Sequence, residues 1–157
     1  MKVIEIDVEC NVDELEVHED IREFVRDRLN GYIEVVHPQY LPHPLCMIVD
    51  EEGLLKSLEI NPFGSFLYRT HRHGHPIVGK IYIVKQTGDP LNGYDITGLT
   101  DSEVEVFHGL YDNILKSGQI LHRKNRKEKA PVEVAASQSA HEFVQPQNST
   151  KGQGCQI

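Results

Sequence analysis

There is no tryptophan in this chain, only three cysteines, and no apolar run approaching the ~18 residues that a membrane-spanning helix needs. Cys10, Cys46 and Cys155 are odd in number and form no C-x-x-C pair, so neither a disulfide framework nor a zinc ribbon is expected. Cys155, in the closing GCQI, stands one position off a prenylation pattern. The opening MKVIEIDVEC meets acids too early for the apolar core of a signal peptide. A reducing, cytoplasmic setting without membrane partners is the expectation.

Basic side chains are scarce as well, with 16 Lys and Arg against 24 Asp and Glu. The deficit is concentrated in residues 1–60, which hold 15 acids and 5 bases. Phosphate attraction dominates nucleic-acid binding, so an acidic front argues against DNA or RNA as the ligand of the domain. The exception is the basic segment 123–129, RKNRKEK, which lacks the interleaved aromatics of a nucleic-acid surface. Charge runs most often mark a solvated face or tail.

What is present is enough for one domain with a real core. Val3, Ile4, Ile6 and Val8 among charges predict a strand over 1–8, followed by an acidic connection. Ile21, Phe24, Val25 and Leu29 recur at helical spacing and predict a helix from about Glu19 to Asn30, with Gly31 in the left-handed conformation beyond it. Strands are expected over 32–36 and 45–49, and Gly53 is expected to turn the chain with positive φ so that Leu54–Lys56 returns as a hairpin partner. Asn61-Pro62 starts a short helix carrying Phe63, Phe66 and Leu67. Residues 70–76 read as a loop, 77–85 as the strongest strand, and 86–93 as a turn-dense loop. Thr100 and Glu103 form a capping box ahead of a helix striped with Val104, Phe107, Leu110, Tyr111, Ile114 and Leu115 and ended by Gly118. The fold class is therefore α+β: a small mixed or antiparallel sheet of four to five strands packed by two main helices over residues 1–122. Residues 123–157, basic and then polar, are expected to be a disordered tail. Phe24, Leu29, Ile33, Ile48, Phe66, Ile81, Ile83, Phe107 and Leu110 are the expected core.

The chemistry is sparse. Gly74–Lys80 nearly spells a phosphate-binding loop, but Ile81 replaces the hydroxyl residue and a strand, not a helix, follows. Gly79 is better read as relieving crowding or marking a bulge. His71, His73 and His75 would share one face if that segment were extended, with His37, His43 or Cys46 as a fourth metal ligand. Gly74 and Pro76 work against that geometry, and a solvated loop is the better reading. Gly64-Ser65-Phe66 lacks the second glycine of a nucleophile elbow, and Cys46 in an apolar strand reads as an inert core thiol.

The segments GYIEVVHP (31–38), MIVDEEG (47–53), LEINPFGS (58–65) and HPIVGKIYIV (75–84) together resemble a small family catalogued as domain of unknown function 3846, over residues 2–110. The resemblance implies a compact α+β domain in a bacterial, phage or mobile-element context. It carries no active-site residues across. Members commonly have a shorter turn without histidines before the IVG strand, so any metal role would be particular to this chain. The expectation is a non-enzymatic module, without cofactor, that binds a protein or small molecule, with a counter-defence or regulatory role by context. Asn61, Tyr68, His71, His73 and His75 are its candidate binding residues. The alternative is a metal-dependent enzyme built on His71, His73 and His75.

Overall fold

The computed structural model describes residues 1–120. Six strands and four helices follow one another as β1 (Lys2–Ile6), β2 (Val12–Glu16), α1 (Ile21–Leu29), β3 (Ile33–Val36), β4 (Leu45–Asp50), α2 (Pro62–Tyr68), α3 (Thr70–His73), β5 (Ile81–Asp89), β6 (Gly93–Thr97) and α4 (Asp101–Lys116). All strand pairs are antiparallel, in the order β2-β1-β5-β4-β3, with β6 against the outer half of β5. The expected tail over 123–157 and its basic segment lie outside the described residues.

Strand β4, most of β1 and the first half of β5, Ile81–Val84, read as nearly unbroken apolar runs because both faces of the sheet are covered there. One face packs Val3, Cys46, Ile48, Tyr82 and Val84 against Ile21 and Val25 of α1. The other packs Ile4, Ile6, Met47, Ile81 and Ile83 against Phe63 and Leu67 of α2 and Val104, Phe107 and Ile114 of α4. Phe63 joins the two helices, tilted against Tyr111 at 5.0 Å between centroids and edge-on to Phe107 at 6.1 Å. Of the expected core, Ile48, Ile81, Ile83 and Phe107 are fully buried, while Phe24, Leu29, Ile33, Phe66 and Leu110 lie half-buried at its margin.

Several local expectations are corrected. The acidic connection after β1 contains the edge strand β2, reached through a turn in which the Asp7 carboxylate accepts from the backbone of Glu9 and Asn11 and from the Asn11 side chain. Its acidic side chains face water, as suits a sheet edge. Residues 86–93 are not a loop: β5 continues to Asp89 and turns through 90–92 into β6, with the Asp89 carboxylate accepting from Leu91, Asn92 and the Asn92 side chain. Gly88, at φ 93°, makes this hairpin tolerable, since a Cβ there would collide with the Gly93 carbonyl. Conversely β5 starts only at Ile81, because Gly79 adopts φ 73° and diverts Ile77–Gly79 to pair with Glu59–Asn61. At the end of α1 the left-handed residue is Asn30, not Gly31. Residues 54–56 are not a strand but part of a series of turns, where Ser57, not Gly53, has positive φ. The two helix starts read from sequence hold: Asn61 caps α2, and Thr100 and Glu103 form the box at α4.

Candidate functional site

Asn61 is the knot beneath the site. It is fully buried, its Oδ1 accepts from Gly64 N at 2.9 Å, and its Nδ2 donates to the carbonyls of Ile6, Asp7 and Gly79 at 3.1, 3.2 and 2.9 Å. One side chain thus caps α2, closes the end of β1 and fixes the diversion before β5. With every polar atom engaged and no exposure, it positions α2 and presents nothing to a ligand.

The other four sequence candidates spread around α2 and α3. Residues 70–73 form a helical turn instead of an extended segment, entered through Arg69 in the left-handed conformation (φ 58°). His71 faces a groove of about 670 Å³ between α2, the β1–β2 turn and the end of α4. His73 packs on the ring of Tyr68, 4.7 Å between centroids. Tyr68 and His75 line a second cleft, of about 250 Å³, on the other flank of α2. The helical turn is the physical reason the imidazoles diverge: residues two apart share a face only in an extended chain. Of the proposed fourth ligands, Cys46 lies on the α1 face of the sheet, away from α2 and α3, and burial pushes its thiol up to about 11. His37 instead meets Gln86 at 2.5 Å. Among the described residues no group of three or more His, Cys, Asp or Glu is arranged to hold a metal ion.

Two features were missed in the sequence. The first is a charged cluster on the α1 face. Glu5, only 4% exposed, receives hydrogen bonds from Lys80 at 2.5 Å, from the Tyr82 hydroxyl at 2.7 Å and from Arg28 Nε at 3.1 Å. Burial alone would raise the Glu5 carboxyl, but these three donors outweigh it and hold it below the usual carboxylate range. Burial and the bond to Glu5 push the Tyr82 phenol well up. Both carboxylate oxygens are occupied, so the cluster ties the last turn of α1 to β1 and β5.

The second feature is the turn at residues 51–60. Its backbone is closed by bonds from Gly53 to Asp50, Lys56 to Glu52, Ser57 to Leu54 and Leu58 to Gly53. At its side the Lys56 ammonium folds back onto the buried Asp50 carboxylate at 2.8 Å and the carbonyl of Asn30 at 3.2 Å, satisfying the end of α1 as well. A Cβ at Gly31 would meet the Lys56 amine, a contact that the flexible lysine end can relieve by shifting. Leu54, Leu55, Leu58 and Ile60 are exposed, with Leu55 84% exposed and Leu58, the least so, lying against Gly79. They are four of the ten exposed large apolar side chains among the described residues. The turn borders both clefts beside α2, through Ile60 in the larger and Leu54 in the smaller. Four aliphatic residues within seven positions, at 54, 55, 58 and 60, are the only signal the sequence held for it.

A three-layer antiparallel α+β domain with an anchored, outward-facing leucine turn is the class these features define. Residues 1–112 match the family described as Domain of unknown function (DUF3846), and since the match spans well over half the chain, the chain belongs to that family. No curated protein and no solved structure matches it.

Proposed function

We propose that this chain is a non-enzymatic protein-interaction module whose partner binds over the leucine turn at residues 51–60 and the clefts on either side of α2. The observation that carries the reading is the turn itself: its aliphatic side chains are exposed while its backbone and Lys56 are fully anchored. Exposed apolar clusters of this kind mark interaction sites. A rigid turn also lowers the ordering cost of binding. Nothing in the fold needs those leucines outside, since the sheet and helices already bury a full core on both faces. The bacterial, phage and mobile-element context that the family resemblance implies supports an accessory role, regulatory or directed against host defence, in the cytoplasm.

The test is a photo-reactive phenylalanine derivative placed at Leu55 and, as a control, at Leu91, which is equally exposed but on the β5–β6 hairpin. In cells of its source, a discrete adduct is expected from position 55 and none from position 91. The same adduct should disappear in Leu54→Ser with Ile60→Ser. Equal labelling at both positions, or an adduct insensitive to those substitutions, would sink the reading.

A further inference from the structure

The smaller cleft has a shape and charge that name its occupant. Its floor is aliphatic, made by Val36 and Val49 of the sheet with Ile77 and Val78, and Leu54 of the turn closes one side. Its mouth carries Glu34 and Glu51, both exposed, and neither makes an ion pair among the described residues. No Lys or Arg lines it. Lys56 is paired with Asp50 and Glu52, and Arg28 and Lys80 with Glu5. The strand alternation explains the pairing of Glu34 with the valines. Glu34 stands opposite Val49 on the edge strand β3, so its carboxylate rises on the same face as the apolar floor.

At about 250 Å³ the cleft falls below the roughly 300–1,000 Å³ of small-molecule sites. It is suited to one long side chain. A lysine or arginine lays its methylene stem along apolar surface and keeps its charged head at the rim. Here the stem would meet the valines and the head would meet Glu34 and Glu51, whose like charges lose their mutual repulsion on receiving a cation. The exposed Leu54 and Leu55 continue the apolar surface past the mouth, which calls for apolar residues beside the base.

We infer that the cleft receives a Lys or Arg side chain of a partner polypeptide whose neighbouring residues are apolar and pack on the leucine turn. This rests on the interaction reading above and adds the chemistry of the partner.

The probe is a short labelled peptide with one lysine between two leucine pairs, compared with the same peptide carrying norleucine in place of lysine, both titrated into the full chain. The lysine peptide should bind at least about fivefold more tightly at low salt, the scale of an exposed ion pair joined by a second. That advantage should vanish in Glu34→Gln with Glu51→Gln and shrink as salt is raised. Leu54→Ser with Leu55→Ser should weaken both peptides alike. Equal affinity of the two peptides overturns this inference and leaves the leucine-turn reading standing. A lysine advantage that survives loss of Leu54 and Leu55 without any weakening overturns the leucine reading instead. Self-association removed by Glu34→Gln with Glu51→Gln would assign the cleft to a second copy. Lysine-peptide binding that tightens when Lys124, Arg126 and Lys127 become Gln would assign it to the chain's own basic segment. Either result overturns the proposal of a separate partner.

Discussion

The central strands and the turn at 51–60 are built from the same few residue types and dispose of them in opposite ways. In β1, β4 and β5, aliphatic side chains are buried on both faces, and the buried acid of β1, Glu5, is held by three donors. In the turn, aliphatic side chains face water, and the one cation, Lys56, itself exposed, turns its ammonium onto the buried Asp50 carboxylate. Apolar content therefore does not decide burial here. What decides it is where the backbone hydrogen bonds go: a ladder presents two faces to helices, whereas a closed series of turns has no second layer to meet. The buried polar groups in both regions are fully paired, so neither region is a loosely packed version of the other.

The largest effect expected is in the core. Phe107→Ala removes the ring between α4 and α2 and should cost about 3–5 kcal/mol in urea unfolding, by lost burial and the cavity left behind. Asn61→Ala comes next. It strands the Gly64 amide and the Ile6 and Gly79 carbonyls in a dry site, for about 2–3 kcal/mol. A loss below that of an ordinary exposed cap would show that water enters behind α2 and that the knot is weaker than its geometry.

Glu5 sharpens the comparison through pH. Its folded carboxyl lies below the ordinary 4.5, so the stability it contributes is fully present above 4.5 and is lost as pH falls through the lower folded value. Glu5→Gln should therefore be destabilised against the natural chain near neutrality, and the gap should close in acid. Glu103 is held low as well and adds to the acid loss of both proteins, but it cancels in the difference. A gap that stays constant with pH would mean that packing, not the carboxylate charge, is what Glu5 supplies.

The parts of this fold written in local chemistry were legible from sequence. The Asn61-Pro62 start and the Thr100–Glu103 box are side chain to backbone bonds within one turn, and both were read correctly. The α+β class followed from periodicity. What stayed hidden depends on partners far along the chain. β2 has a sequence, VDELE, that forms a strand only because the Asp7–Asn11 turn returns it to β1. Glu5 looks like the outward residue of an alternating strand, and nothing local says that α1 covers that face and brings Arg28 23 residues later. The histidine series looked periodic, but Arg69 in the left-handed conformation starts a helical turn there and sends the three rings apart. Leu54–Lys56 looked like a strand because aliphatic residues usually seek a second layer; Lys56 anchoring to Asp50 is what lets them do without one.

The smallest effect on stability is expected at the turn, and it bears most directly on the comparison. Leu54→Ser with Leu55→Ser removes apolar side chains that already face water, so the change should stay within about 0.5 kcal/mol, the scale of surface substitutions. Lys56→Met should do more, because it leaves the Asp50 carboxylate buried without its cation and frees the end of α1. The ordering is the point: in the sheet, aliphatic residues should outweigh the charges, and in the turn, the charge should outweigh the leucines. Urea unfolding of the three proteins side by side reads it directly. If the leucine pair destabilised the chain more than Lys56→Met, the leucines would belong to the core, and an interaction surface at the turn would have lost its physical basis.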